Sequence, residues 1–284
     1  MDAPPPEYVE SLDGTPLALY RLGSGRRVVI ISGALATAAA SLPLAASLAE
    51  AGLQGIAYDR RGRGASGDAA AYAPEREVED LRAILDATAD ATGGATGAAL
   101  EGPAAVLGHS AGGALALLAA AAGVPMAHLF LSEPPLRFGR HEPPADLADR
   151  LRDLADEGRG EEAVLCFLRE NVQLPEAAIA QLRAAHSFGE LVALARTTSY
   201  DTRLVASVST PTPKMLGTGV PTTVLRGAST LPLVVTATRR LAAAMPTAEL
   251  VVVPESRDHR VDPQGTTREI LARHPRTAQA TSNS

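Results

Sequence analysis

The sequence predicts an α/β fold, a mostly parallel, doubly wound sheet with a helical cap inserted late in the chain. Three observations predict it. Short apolar runs of strand length alternate with helix-length segments from residue 27 to residue 132, the pattern of βαβ units. Residues 102–132 contain no Asp, Glu, Lys or Arg, which marks the centre of a core: two strands buried on both faces with a buried helix between them. Four consecutive helical segments without a strand then fill 145–200, and strands resume only at 222.

Each element has its own signal. Three prolines make residues 1–6 a loose arm. Residues 7–11 and 16–22 flank Asp13-Gly14, a strong turn signal, and form a hairpin that adds antiparallel strands at one edge. Arg27-Val28-Val29-Ile30-Ile31 is a buried strand, and residues 41–51 are a helix ended by Gly52. Residues 55–58 form a fourth strand, running into Asp59-Arg60-Arg61-Gly62-Arg63-Gly64-Ala65-Ser66-Gly67. Val78, Leu81, Ile84 and Leu85 space a helix over 75–89, with acids near its start. Residues 90–102, rich in Ala, Gly and Thr, read as a surface loop. The uncharged centre reads as strand 104–107, a sharp turn, helix 113–122 and strand 128–131. Pro134-Pro135 and Pro143-Pro144 stop regular structure. Helices follow over 145–157, 161–170, 176–184 and 187–197. Strands return at 222–226 and 249–253 around a helix at 234–244, and a last helix covers 266–272. The expected division is a core of 7–133 with 202–275, a cap of 134–201 and a frayed tail of 276–284.

Composition excludes several classes of function. The net charge is −6, which argues against nucleic acid or an anionic membrane surface as partner. Pro103, Gly108, His109, Gly112, Gly123, Pro125 and His128 break the uncharged run well short of the ~20 apolar residues a membrane span needs. Aromatics are 3% with no Trp, so the core is aliphatic and no aromatic cage is expected. Cys166 is the only cysteine, which excludes an internal disulfide and agrees with a reducing compartment. Among Val164, Leu165, Phe167 and Leu168 it reads as a packing residue. The start lacks a basic region and an apolar run, so no signal peptide is read and a cytoplasmic location is expected. No Cys, His or carboxylate cluster has metal-ligand spacing, and neither a metal nor another cofactor is expected. The expected partner is a small-molecule substrate. Oligomeric state is left open, a homodimer included.

The sharp turn carries the functional signal. Gly108-His109-Ser110-Ala111-Gly112 is G-x-S-x-G between a strand and a helix. A nucleophile on such a turn sits in a strained backbone conformation with its hydroxyl clear of the sheet. Residues two before and two after come so close to the backbone that side chains there would clash. The helix N–H groups favour negative charge developing at the same spot. At this point the sequence resembles the α/β-hydrolase superfamily. Further marks are Arg60-Arg61-Gly62-Arg63-Gly64, Glu75-Arg76-Glu77 and Glu133-Pro134-Pro135, and the likeness spans about residues 7–272, closest to small, capped serine esterase-like hydrolases.

A serine needs a histidine to take its proton and a carboxylate to orient that histidine. The resemblance implies the chain order Ser, acid, His. Of six histidines, His259 follows the last predicted strand, where the superfamily carries its base, although the usual glycine shortly before it is absent. The loop where the superfamily commonly carries its acid, Gly227-Ala228-Ser229-Thr230-Leu231-Pro232, holds no carboxylate. Some haloalkane dehalogenases carry the acid instead after the strand that follows the nucleophile helix. Here that position is Glu133, which would emerge at the same sheet edge as Ser110. Asp201 is the runner-up acid. The oxyanion donors expected are the backbone N–H groups of Ala111 and of Ala34, the latter in Ile31-Ser32-Gly33-Ala34-Leu35, where Ser32 replaces the usual His. The 59–67 loop reads as a turn beneath the site, with phosphate binding a weak alternative because no Walker lysine follows.

The resemblance implies a serine hydrolase cleaving a small, fairly apolar ester, thioester or lactone through an acyl-enzyme. Two alternatives stay open. One is small-molecule binding or a non-hydrolytic, cyclase- or lyase-like rearrangement on an eroded scaffold; the other is a cofactor-free perhydrolase. Epoxide and haloalkane hydrolysis use an Asp nucleophile, against which Ser110 speaks.

Overall fold

The computed structural model of the chain describes residues 4–89 and 102–274. Most of the expected 90–102 loop and the whole expected 276–284 tail lie outside the described residues. The hairpin is β1 (Glu7–Glu10) and β2 (Pro16–Gly23), followed by β3 (Arg27–Ile31), a single 3₁₀ turn at Ala38–Ser41 and α1 (Leu42–Glu50). Then come β4 (Gln54–Tyr58), α2 (Pro74–Ala89), β5 (Ala105–His109), α3 (Ala111–Ala121) and β6 (His128–Ser132). The helical segment comprises α4 (Leu147–Asp156), α5 (Gly160–Cys166) continuing as a π-helix over Phe167–Val172, α6 (Glu176–Ala184), α7 (Phe188–Ala193), α8 (Thr197–Val208) and the short α9 (Pro213–Leu216). β7 (Thr222–Ser229), α10 (Pro232–Ala244), β8 (Ala248–Arg257) and α11 (Pro263–Arg273) complete the fold.

The eight strands form one sheet in the order β1-β2-β4-β3-β5-β6-β7-β8. β1 pairs antiparallel with β2, and β2 antiparallel with β4. Every later pairing is parallel. The central strands are buried on both faces, as their unbroken apolar runs require. Val29, Ile31, Val106, Leu129 and Leu131 face a core shared with α2, α3, α8 and α10. Val28, Ile30, Ala105, Leu107 and Phe130 face the opposite core, against α1 and α11. This period of two splits each strand between the layers.

A third apolar cluster belongs to the helical segment. Leu147, Leu151, Val164, Phe167, Ile179 and Phe188 pack together, and Ala34 and Leu35 pack against them. The helices therefore roof the loop after β3. The helix expected over 187–197 ends at Ala193 and a new one, α8, runs continuously through the expected 201/202 boundary. Its opening Thr197-Thr198-Ser199 is poor helix former by propensity. All three are buried, and their hydroxyls donate to the carbonyls of Leu194, Ala195 and Arg196. Leu204, Val205 and Val208 then anchor α8 in the core beside α3. Tertiary packing outweighs propensity there.

Candidate active site

β5, β6, β7 and β8 are sheet neighbours, so their C-terminal ends lie side by side. Ser110 follows β5, Glu133 follows β6, the 227–230 stretch closes β7, and His259 follows β8. Ser110 has φ 52° and ψ −121°. Its turn closes so tightly that a Cβ on Gly108 would lie 2.2 Å from the Gly112 carbonyl oxygen, and one on Gly112 2.3 Å from that of Ile31. Those two glycines are a steric requirement of the bend at Ser110.

The imidazole of His259 bridges the other two groups. Its Nε2 lies 3.0 Å from Ser110 Oγ and its Nδ1 2.5 Å from Glu133 Oε2. The carboxylate can only accept, so Nδ1 carries the proton and Nε2 accepts from the serine hydroxyl. Glu133 is 3% exposed. Burial acts to raise its pKa, but hydrogen bonds from His259, the Gly227 N–H (2.8 Å) and the Thr230 hydroxyl (2.8 Å) outweigh it and hold the carboxyl below its ordinary value. The loop after β7, which lacks an acid of its own, thus supplies two donors to the acid carried by β6. Gly227 has no room for a side chain: a Cβ would sit 3.1 Å from Glu133 Oε1 and 2.6 Å from the Ser256 carbonyl oxygen.

The chain turns back toward β6 through two left-handed residues, Asp258 (φ 52°) and His259 (φ 58°). Asp tolerates that conformation better than most residues, which explains how the turn is made without the glycine the resemblance implies. A second histidine steadies it. His109 Nε2 donates to the His259 carbonyl at 3.2 Å, and its Nδ1 lies 3.1 Å from Ser132 Oγ. The carbonyl can only accept, so Nδ1 accepts the Ser132 hydroxyl proton. The two imidazoles are tilted against each other with centroids 4.9 Å apart. Burial, and secondarily His259, pushes the His109 pKa down to about 3, so this ring stays neutral. His109, Ser132, Gly227 and Thr230 carried no catalytic signal in sequence. The spacing that could have found them is the register that sets Ser132 beside His109 and Leu225.

The candidate oxyanion donors flank Ser110. Ala111 opens α3, where the first N–H groups of a helix lack an intrahelical acceptor. A Cβ on Gly33 would lie 3.2 Å from Ser110 Cβ, which puts the Ala34 loop directly against Ser110. No backbone acceptor among the described residues takes the Ala34 N–H.

Asp201 is not at the imidazole. It is fully buried in α8, accepting from Arg60 at 2.8 Å and Arg63 at 2.9 Å. Of the two candidate acids only Glu133 touches the imidazole, because β6 ends beside β5 whereas α8 carries Asp201 to the arginine loop. In that loop Arg60 binds Glu77 through two bonds (2.6 and 2.7 Å), Arg61 binds Asp80 likewise (2.7 and 2.6 Å), and Arg63 donates to the Gly33 carbonyl at 2.9 Å. Asp59 accepts from the Ala38 and Ala65 N–H groups. The loop is a buried, ion-paired support whose guanidinium groups are engaged inside the protein. Cys166 is half-buried and donates to Glu170 at 3.3 Å. Burial first, then Glu170, pushes its thiol up to about 11, far from a reactive thiolate. Among the described residues, no helix is long and apolar enough to cross a membrane.

The family model described as serine aminopeptidase, S33 matches residues 24–157. An α/β hydrolase from Sphaerobacter thermophilus is 38% identical, covering 94% of this chain and 99% of its own, with a TM-score of 0.83. The chain belongs to the α/β-hydrolase family. More distant neighbours share the fold. An esterase from Exiguobacterium antarcticum is 19% identical with a TM-score of 0.64, covering 93% of this chain and 97% of its own. An enol-lactonase from Burkholderia xenovorans is 18% identical with a TM-score of 0.64, covering 94% and 98%. No curated protein matches the chain.

Proposed function

We propose that the protein is a serine hydrolase that cleaves a small, fairly apolar ester, thioester or lactone through an acyl-enzyme. One observation carries this reading: the unbroken relay from Ser110 Oγ through the His259 ring to Glu133, at 3.0 and 2.5 Å. Ser110 Oγ bonds to the substrate carbonyl carbon as its proton passes to His259 Nε2. Glu133 stabilises the resulting imidazolium without taking its proton. The Ala34 and Ala111 N–H groups receive the oxyanion. On collapse the carbonyl carbon–heteroatom bond breaks, and His259 returns the proton to the leaving group. Water, deprotonated by the same nitrogen, then releases the acid and restores Ser110. The aliphatic cluster of the helical segment, packed against Ala34 and Leu35, favours an apolar acyl or alkoxy group. Two fold neighbours are an esterase and an enol-lactonase by name, which agrees with an ester-type bond.

The test is Ser110→Ala, assayed with short-chain p-nitrophenyl esters beside labelling by a fluorophosphonate. The expected outcome is loss of labelling and a fall in kcat of at least about 10³-fold. An unlabelled wild type, or a variant that keeps its rate, overturns the reading.

A further inference from the structure

A recess of about 230 Å³ opens between the segment that follows Glu133 and the first turns of α10. Arg137, Phe138 and Arg140 line one side, Pro232, Leu233 and Arg240 the other. Ser110, Glu133 and His259 are not among its walls. The walls carry three arginines and neither an Asp nor a Glu.

These arginines differ from those under the active site. Arg60 and Arg61 are buried against carboxylates at 2.6 Å. Arg137 is equally buried, at 4% exposure, yet meets only neutral acceptors. Its Nη1 donates to the His141 carbonyl at 2.5 Å, its Nη2 to that of Asn171, and its buried Nε has no acceptor among the described residues. Burial lowers its pKa, opposed only by Glu142 acting through space. Glu142 is itself held by the Ser209 hydroxyl at 2.7 and 2.8 Å and by the Gly139 N–H at 3.3 Å. Arg137 is thus a buried cation without a carboxylate partner in the wall of the recess, where its charge adds to a positive potential. Arg240 lies over the Phe138 ring at 4.3 Å, and neither it nor the exposed Arg140 forms an ion pair among the described residues. The first turn of α10 adds the N–H groups of Leu233 and Val234, which Leu231 at the N-cap leaves uncapped, while Pro232 has none. The positive end of that helix dipole favours the same charge sign.

We propose that this recess binds an oxyanion, the carboxylate or phosphate group of a small molecule, at a site separate from Ser110. Its volume is about that of seven or eight waters, enough for phosphate with a short organic tail or for a small dicarboxylate. This assignment is independent of the hydrolase reading, since it uses none of the proposed catalytic groups.

The test is calorimetric titration and thermal unfolding of the full chain with inorganic phosphate and, separately, succinate, against sodium chloride at equal ionic strength. Saturable binding of at least one, with a raised Tm and equal strength in the Ser110→Ala protein, is expected. Phosphate alone or succinate alone would name the preferred oxyanion. Arg140→Gln and Arg240→Gln, both at exposed positions, should each weaken binding about tenfold, the loss of one charge-assisted hydrogen bond. No binding beyond the chloride control, unchanged affinity in both variants, or loss of binding in Ser110→Ala overturns the proposal.

Discussion

Glu133 and Asp201 are two buried carboxylates with opposite surroundings. Glu133 receives hydrogen bonds from a backbone N–H, a hydroxyl and an imidazole. Asp201 receives its bonds from the guanidinium groups of Arg60 and Arg63. The difference supports the separate roles proposed for them. A guanidinium never gives up its proton in this setting, so Asp201 is locked as a counter-ion. The imidazole of His259 has a ring nitrogen, Nε2, that faces Ser110 and can accept a proton, so the charge of Glu133 is placed to answer a change on that ring. Burial alone does not distinguish the two acids; the partner that each one faces does.

Two substitutions break this comparison most strongly. Glu133→Gln keeps the shape and removes the charge that favours the imidazolium. kcat should fall about 10³- to 10⁴-fold, read with the ester assay that serves Ser110. Asp201→Asn should do the reverse. It leaves two guanidinium groups short of a buried negative charge and should cost about 3–5 kcal/mol of stability, read as a lower urea midpoint. Its kcat per folded molecule should stay within a few-fold of wild type. If Asp201→Asn lowered kcat as deeply as Glu133→Gln, the division of roles would fail.

The contrast also separates what the sequence reveals from what it hides. The strand-helix alternation, the charge-free centre and the Gly108-to-Gly112 turn are local patterns, and they predict the sheet and Ser110 directly. Glu133 is reachable through the resemblance, which allows an acid after the strand that follows the nucleophile helix, at the same sheet edge as Ser110. Asp201 stands as the runner-up in sequence, because no local pattern tells that α8 carries it to Arg60 and Arg63, 141 and 138 residues away. The same holds for Thr230. Its loop seemed deficient for want of an acid, yet it donates to one 97 residues upstream. Apparent gaps in a family pattern were filled by neighbours across the sheet.

A smaller effect tests the loop that holds the base. His109 fastens the carbonyl of His259, whose backbone is left-handed. His109→Phe keeps the ring volume and removes that bond. A misplacement of about 1 Å at a reacting group is worth up to about 10²-fold in rate, so kcat should fall about 10- to 100-fold while KM changes little. Thr230→Val, which removes one of several bonds to Glu133, should cost about tenfold or more in kcat. Unchanged rates in both would leave Glu133 and His259 positioned by the strand ends alone.

The smallest effect compares opposite ends of the sheet by pH. His109 lies at the C-terminal edge with its pKa pushed down to about 3, chiefly by burial. His128 opens β6 at the other edge, and burial, then Arg273, pushes it down to about 4. Unfolded, each titrates near 6.5. Between the folded and unfolded values the unfolded chain binds the extra proton, so stability falls as pH drops from about 6.5 toward 4. Each contributes at most about 1.4 kcal/mol per pH unit to that slope. His109→Gln and His128→Gln should therefore flatten the acid limb of the stability curve by similar amounts in urea titrations at pH 4.5–6.5. Only His109→Gln should also slow ester turnover, because only that ring touches the loop of His259. Equal slopes in wild type and both variants would mean that the two rings gain protons in the folded state, and that burial does not keep them neutral.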